Sequence, residues 1–319
     1  MVYVWLALGL ICLVLGGDLL VRGAVQLARK MGVSPLLIGL TLVGFGTSTP
    51  ELVTSLLAVH QGSADIAVGN VVGSNTANIL LILGVSALLS PVKVDIHSFK
   101  RDGGFLALST IGLILALQIG IITFWLGAML VGALIFYVVY SYFSDRKNQK
   151  ILREKEAEVA SDAGDSRHTN VWISLIQTLG GLGLTLLGAR WLVDSATVLA
   201  RDWGISERVI GLTIVAVGTS LPELITSVMA SIRKQNDVAF GNVVGSNIYN
   251  ALFILGVTAL FMPVHVPAAM GTDILIMTEA TLALIGIALT RQVFTKATGV
   301  LFLVAYAIYT YVMYQGGAL

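Results

Sequence analysis

Residues 46–52 read Gly-Thr-Ser-Thr-Pro-Glu-Leu, and residues 218–224 read Gly-Thr-Ser-Leu-Pro-Glu-Leu. Downstream of each stands Gly-Asn-Val-Val-Gly-Ser-Asn-x-x-Asn, at 69–78 and again at 241–250, with a constant offset of 172 residues. About 29 of 49 positions are identical between 38–86 and 210–258, so the chain carries an internal duplication. Each copy sets one glutamate beside a proline within an otherwise apolar run. A carboxylate in hydrocarbon is costly and by default marks an ion or proton path.

Working outward from these strings, the chain has 319 residues, 56% hydrophobic and 12% charged, with a mean hydropathy of +0.88. Soluble domains carry roughly 25% charge, so this is an all-α polytopic membrane protein. Apolar runs of bilayer-spanning length, about 20 residues, fall near 2–22, 33–59, 66–90, 103–121, 123–143, 171–193, 205–232, 238–262, 271–290 and 294–314. They predict ten spans: a first five-helix repeat over 1–143, a solvated linker over 144–170 rich in both charge signs, and a second repeat over 171–319. The first basic residue, Arg22, follows the first apolar run, so 2–22 reads as a retained span rather than a cleaved signal. Cys12 has no disulfide mate, and His60, His97, His168 and His265 lie far apart with no metal-ligand spacing. His97 and His265 are expected in loops. The net charge of +1 says nothing about partners; no cofactor and no nucleic-acid partner are expected.

Loop charges set the orientation. With the N-terminus outside, 16 lysines and arginines face the cytoplasm and only Arg190, Arg201 and Arg208 fall outside. Both termini are then outside and 144–170 is cytoplasmic. An odd number of spans per copy inserts the second copy upside down. Such inverted-topology repeats are a transporter architecture, with the substrate site near the midplane where they meet.

Gly44, Gly46 and Pro50 interrupt the second span, because proline lacks a donor and clashes with the preceding turn. The break is expected to free carbonyls near Val43 to Thr47. Those carbonyls, the hydroxyls of Thr47 and Ser48 and the carboxylate of Glu51 are hard oxygen ligands, suited to sodium and calcium. Thr219, Ser220 and Glu223 repeat the set. Ser74 with Asn78, and Ser246 with Asn250, are i,i+4 pairs that add neutral oxygens from one helix face. Gly69, Gly73, Gly241 and Gly245 permit close helix approach. Asp18 with Arg22, and Arg190 with Asp194, read as intrahelical ion pairs near an interface.

At these residues the sequence resembles the calcium/cation antiporter superfamily, and within it the prokaryotic sodium/calcium exchanger branch. The Gly-Thr-Ser-x-Pro-Glu and Gly-Ser-Asn-x-x-Asn strings carry the resemblance, which spans the whole chain. It implies a core of broken helices at 46–55, 69–80, 218–227 and 241–252, across which the first and sixth spans slide. It implies cation ligands at Thr47, Ser48, Glu51, Ser74, Asn78, Thr219, Ser220, Glu223, Ser246 and Asn250, and exchange of about three sodium ions for one calcium. Some relatives carry aspartate where this chain has Asn250, including potassium-dependent ones. Two carboxylates alone argue against potassium co-transport. The expected partners are sodium, calcium and the bilayer of the inner membrane. No soluble regulatory domain is expected, and a monomer is the working expectation. The competing reading is a calcium/proton antiporter, with the glutamates as proton carriers. An intramembrane aspartyl protease is disfavoured because the duplicated acids are glutamates.

Overall fold

The computed structural model describes residues 2–159, 171–204, 216–267 and 270–316. Ten helical segments follow one another: α1 (Val2–Met31), α2 (Pro35–His60), α3 (Ala64–Leu89), α4 (Ile96–Gln118), α5 (Phe124–Val159), α6 (Val171–Asp202), α7 (Ala216–Thr219 and Leu221–Ile232), α8 (Asn236–Phe261), α9 (Gly271–Thr290) and α10 (Lys296–Gly316). Eight of them are long and apolar enough to cross a bilayer; the others are α4 and the described part of α7. The start of the expected seventh span, 205–215, lies outside the described residues, as do Arg208, Arg167 and His168.

Short strands stitch the copies together. β1 (Val92–Lys93) pairs with β4 (Val293–Phe294), and β2 (Ile121–Ile122) pairs with β3 (Val264–His265), both antiparallel. Because β3 is the repeat mate of β1 and β4 that of β2, the exchange is reciprocal. His265 therefore sits in a strand and His97 in the backbone of α4, not in loops.

α1 and α6 run antiparallel with their backbones in contact. A Cβ on Gly9 would meet Leu192 N at 2.8 Å and Gly188 O at 2.9 Å; one on Gly16 would meet Thr185 N at 2.5 Å and Gly181 O at 2.9 Å. Small residues let membrane helices gain van der Waals contact where lipid offers no hydrophobic drive. α8 uses the same device against α2: a Cβ on Gly241 would lie 2.6 Å from Leu36 O, and one on Gly245 would strike the Leu40 backbone. The residues that repeat symmetry sets opposite Gly69 and Gly73, at 208 and 212, lie outside the described residues.

The segment expected as a solvated linker begins as helix. Residues 144–159 continue α5 as helix, a segment of Lys, Arg, Glu and Gln that favours helix intrinsically. Its first turn is pinned: buried Asp145 accepts hydrogen bonds from Ser34 N (2.6 Å) and Ser34 Oγ (2.8 Å). Ser34 in turn caps α2, with Oγ 3.2 Å from Leu37 N and Pro35 in the first turn, where a missing N–H costs nothing. Beside them Arg101 forms a double bond set to buried Asp102 (2.7 and 2.8 Å), and Tyr137 donates to the same carboxylate at 3.4 Å. Residues 160–170 lie outside the described residues.

Candidate cation-binding site

The helix breaks fall where the sequence sets proline. Ser48 (φ −81°, ψ 4°) and Ser220 (φ −90°, ψ 6°) leave the helical region, and Pro50 and Pro222 sit in the first turn of the helices that restart. That turn has no intrahelical acceptor for their missing N–H anyway. Glu51 and Glu223 lie in the same first turns, 1% and 2% exposed. The positive end of each helix dipole favours a carboxylate there.

The two breaks exchange bonds. Ser48 Oγ donates to Glu223 Oε1 at 3.3 Å, and Ser220 Oγ donates to Glu51 Oε1 at 3.2 Å. The copies thus meet glutamate to serine, each holding the other's carboxylate. The second oxygen of each, Glu51 Oε2 and Glu223 Oε2, is buried with no partner. So are Asn78 Oδ1, Asn250 Oδ1 and Ser246 Oγ, and Ser74 is buried at 7% exposure. Asn78 and Asn250 each open a π-turn, Asn78–Leu83 and Asn250–Ile254, inside α3 and α8. π-turns are rare and concentrate at functional positions. A third, Gly39–Val43, precedes the break in α2. Thr219, half-buried, closes the four-residue segment before Ser220.

One expectation is corrected. The carbonyls of Val43 and Gly44 are not freed: Thr47 Oγ1 lies 3.1 Å from Val43 O, and Ser48 N donates to Gly44 O at 3.1 Å. The backbone ladder continues through Ser48 N, and the Thr47 hydroxyl bonds back onto its own helix. Thr47 Oγ1 also lies 3.3 Å from Asn242 Oδ1, so a single proton has competing acceptors.

Asn70 and Asn242 are positioning residues beyond those expected from sequence. Asn70 Nδ2 donates to Glu51 O (3.1 Å) and Ser55 Oγ (3.0 Å); Asn242 Nδ2 donates to Glu223 O (3.2 Å) and Ser227 Oγ (2.9 Å). Each asparagine clamps its own copy's restarted helix through the glutamate's backbone. The signal was on view: Gly-Asn-Val-Val occurs in both copies.

Among the described residues no group of three or more His, Cys, Asp or Glu gathers. Charge at the breaks therefore comes from two glutamates, amid neutral amide and hydroxyl oxygens. Each buried acceptor left unpaired costs about 1–3 kcal/mol, more if charged. A hard cation satisfies several such oxygens at once, and this donor set fits one.

A duplicated bundle of apolar helices with crossed glutamates at its breaks is the build of a multi-pass membrane transporter. The chain belongs to the family described as sodium/calcium exchanger protein, which it matches over residues 1–143 and 173–315. It is 36% identical to the putative antiporter CaxA of Alkalimonas amylolytica, over 98% of both chains. It is also 36% identical to the sodium/calcium exchanger MaX1 of Methanosarcina acetivorans, over 82% of this chain and 83% of that one. Among solved structures it is similar to the sodium-calcium exchanger NCX_Mj soaked with zero Na⁺ and Ca²⁺, with a TM-score of 0.82 and 33% identity over 98% of each chain. These relatives are antiporters and exchangers, not enzymes.

Proposed function

We propose that this protein is a secondary antiporter exchanging sodium for calcium by alternating access. Glu51 and Glu223 are its charged ligands, and Thr47, Ser48, Ser74, Asn78, Thr219, Ser220, Ser246 and Asn250 its neutral ones. The observation that carries this reading is the reciprocal Ser48–Glu223 and Ser220–Glu51 exchange, with an unpartnered oxygen left on each carboxylate. Two opposed carboxylates match the charge of one calcium ion. Three sodium ions on the same ligands leave one positive charge over, so the exchange is electrogenic. An inside-negative potential then adds about 2.3 kcal/mol per 100 mV to calcium export.

The two five-helix repeats are read as inverted in the inner membrane, with both termini outside and residues 144–159 in the cytoplasm. The antiparallel α1–α6 contact and the charge asymmetry of the loops support this. The ligands all come from one chain, so a monomer suffices, and no cofactor is needed beyond the transported ions. A second reading, calcium/proton exchange, rests on one observation: Glu51 Oε2 and Glu223 Oε2 are buried without a partner, and a proton would also satisfy such an oxygen.

Calcium flux into proteoliposomes, with sodium, potassium and proton gradients imposed one at a time, separates the readings. Sodium-driven flux without potassium, enhanced by an imposed potential, is expected. Flux driven only by a pH gradient assigns the second reading. Asn250→Asp adds a third carboxylate and is expected to bring potassium sensitivity or a steeper pH dependence. An unchanged variant removes Asn250 from the ligand set.

A further inference from the structure

We propose that the crevice between α1 and the turn joining α7 to α8 is a binding site for a phosphate-bearing anion, such as the headgroup of an acidic phospholipid. The crevice is a cavity of about 220 Å³ lined by Val21, Arg22, Val25, Gln26, Arg29, Arg233 and Gln235. The Arg22 and Arg233 guanidinium groups meet beside it, each a planar fork of five N–H donors matched to phosphate oxygens, and Arg29 borders it. Asp18 is the carboxylate that pairs with Arg22 and Arg233. It holds Arg22 at 2.9 Å and Arg233 by a second ion pair, so it orients both forks at the crevice while meeting only part of their donor capacity. Arg22 remains 55% exposed and Arg233 33%. Gln26 accepts from Ser174 on Oε1 (3.3 Å), which makes its other end the N–H donor end. Val21 and Val25 give the cavity an apolar wall.

The surface of α1 leading to the crevice points to a lipid. Val4, Leu8, Ile11 and Leu15 are exposed, and at helical spacing they share one face with Asp18, Arg22 and Arg29. That face is apolar for its first half and charged for its second. From Val2 to Arg22 the helix rises about 30 Å, the hydrocarbon thickness of a bilayer, so the arginines stand at headgroup level. Acyl chains laid along Leu8, Ile11 and Leu15 bring a phosphate to Arg22. Basic pockets between membrane helices are suited to such headgroups. The other copy has no counterpart of this arrangement. Arg190 and Asp194 are 79% and 68% exposed at 3.7 Å, and Gln61 stands where the second copy has Arg233.

The test is native mass spectrometry of the full chain in neutral detergent, offered phosphatidylglycerol or phosphatidylcholine with the same acyl chains. Wild type is expected to retain the acidic lipid about tenfold more strongly. Arg22→Gln with Arg233→Gln is expected to abolish the preference, whereas Arg190→Gln keeps it. Arg22→Gln alone leaves Asp18 paired with Arg233, and serves if the double variant does not fold. Inorganic phosphate is the second arm: displacement of the lipid by it assigns a free anion as occupant, and retention assigns the lipid. Equal retention of both lipids by wild type, or an undiminished preference in the folded Arg22→Gln variant, overturns the proposal.

Discussion

The two copies agree at their centre and differ at their rims. At the centre the bonds repeat residue for residue: Ser48 to Glu223 and Ser220 to Glu51, Asn70 and Asn242 each to its own glutamate carbonyl and serine. At the rims, Asp18 gathers one arginine from its own helix and one from the turn after α7, while Arg190 and Asp194 form one exposed pair. On the proposed function a shared ion is held by both halves, which constrains the centre more than the rims. On the proposed inverted topology the rims meet opposite membrane faces and answer to different electrostatics.

The comparison breaks most directly at the carboxylates. Glu51→Gln and Glu223→Gln each remove one of two charges while keeping volume. Each is expected to cut sodium-driven calcium flux by about a hundredfold, the worth of a charge-assisted ligand near 3 kcal/mol. Isotope flux in proteoliposomes checks it, and loss from only one variant would show that the halves are not equivalent. The glycine seam comes next. Gly16→Val would drive a branched side chain into Thr185 N, 2.5 Å from the Cβ position, and should lower thermal stability by about 1–3 kcal/mol. A melting curve in detergent that matches wild type would mean α1 and α6 part easily.

A finer contrast lies in the clamps. Asn242 is fully buried and Asn70 only partly. Asn242→Ala should weaken calcium affinity about tenfold and Asn70→Ala less, since an unpaired buried group costs about 1–3 kcal/mol. Calcium titration of transport rate orders the two; the reverse order would place the tighter half in the first copy. The smallest effect concerns backbone. Gln292 holds φ 54° where its repeat mate is Gly120 at φ 83°. Gln292→Gly should stabilise by about 1 kcal/mol by relieving the left-handed conformation. A lowered melting temperature would show that the side chain earns its place.

Much of this was legible in the sequence. Local signals, such as the apolar runs, the prolines that set the breaks and the i,i+4 ion pair of Asp18 with Arg22, survive in a single chain. The π-turns at Asn78 and Asn250 were not legible, because no residue preference marks them and packing of α3 and α8 decides them. The contact of Arg233 with Asp18 joins residues 215 apart, and nothing in one sequence pairs them. The glutamates announced themselves by charge in an apolar run. Asn70 and Asn242 did not, because a neutral amide beside small residues looks like packing until its two bonds are seen. The helical start of 144–159 is not legible either, because charge density alone reads as solvation, whereas Asp145 is buried on Ser34.

The seam between α1 and α6 has a symmetry of its own. Gly9 meets Gly188 and Gly16 meets Gly181, and these are repeat mates taken crosswise. Contacts that swap in this way are those of a self-complementary surface, as between identical subunits about a two-fold axis. A polypeptide of half this length would already carry both sides of the seam, and both sides of the Ser–Glu exchange as well. Two separate copies of such a half would meet through the same contacts with no linker between them.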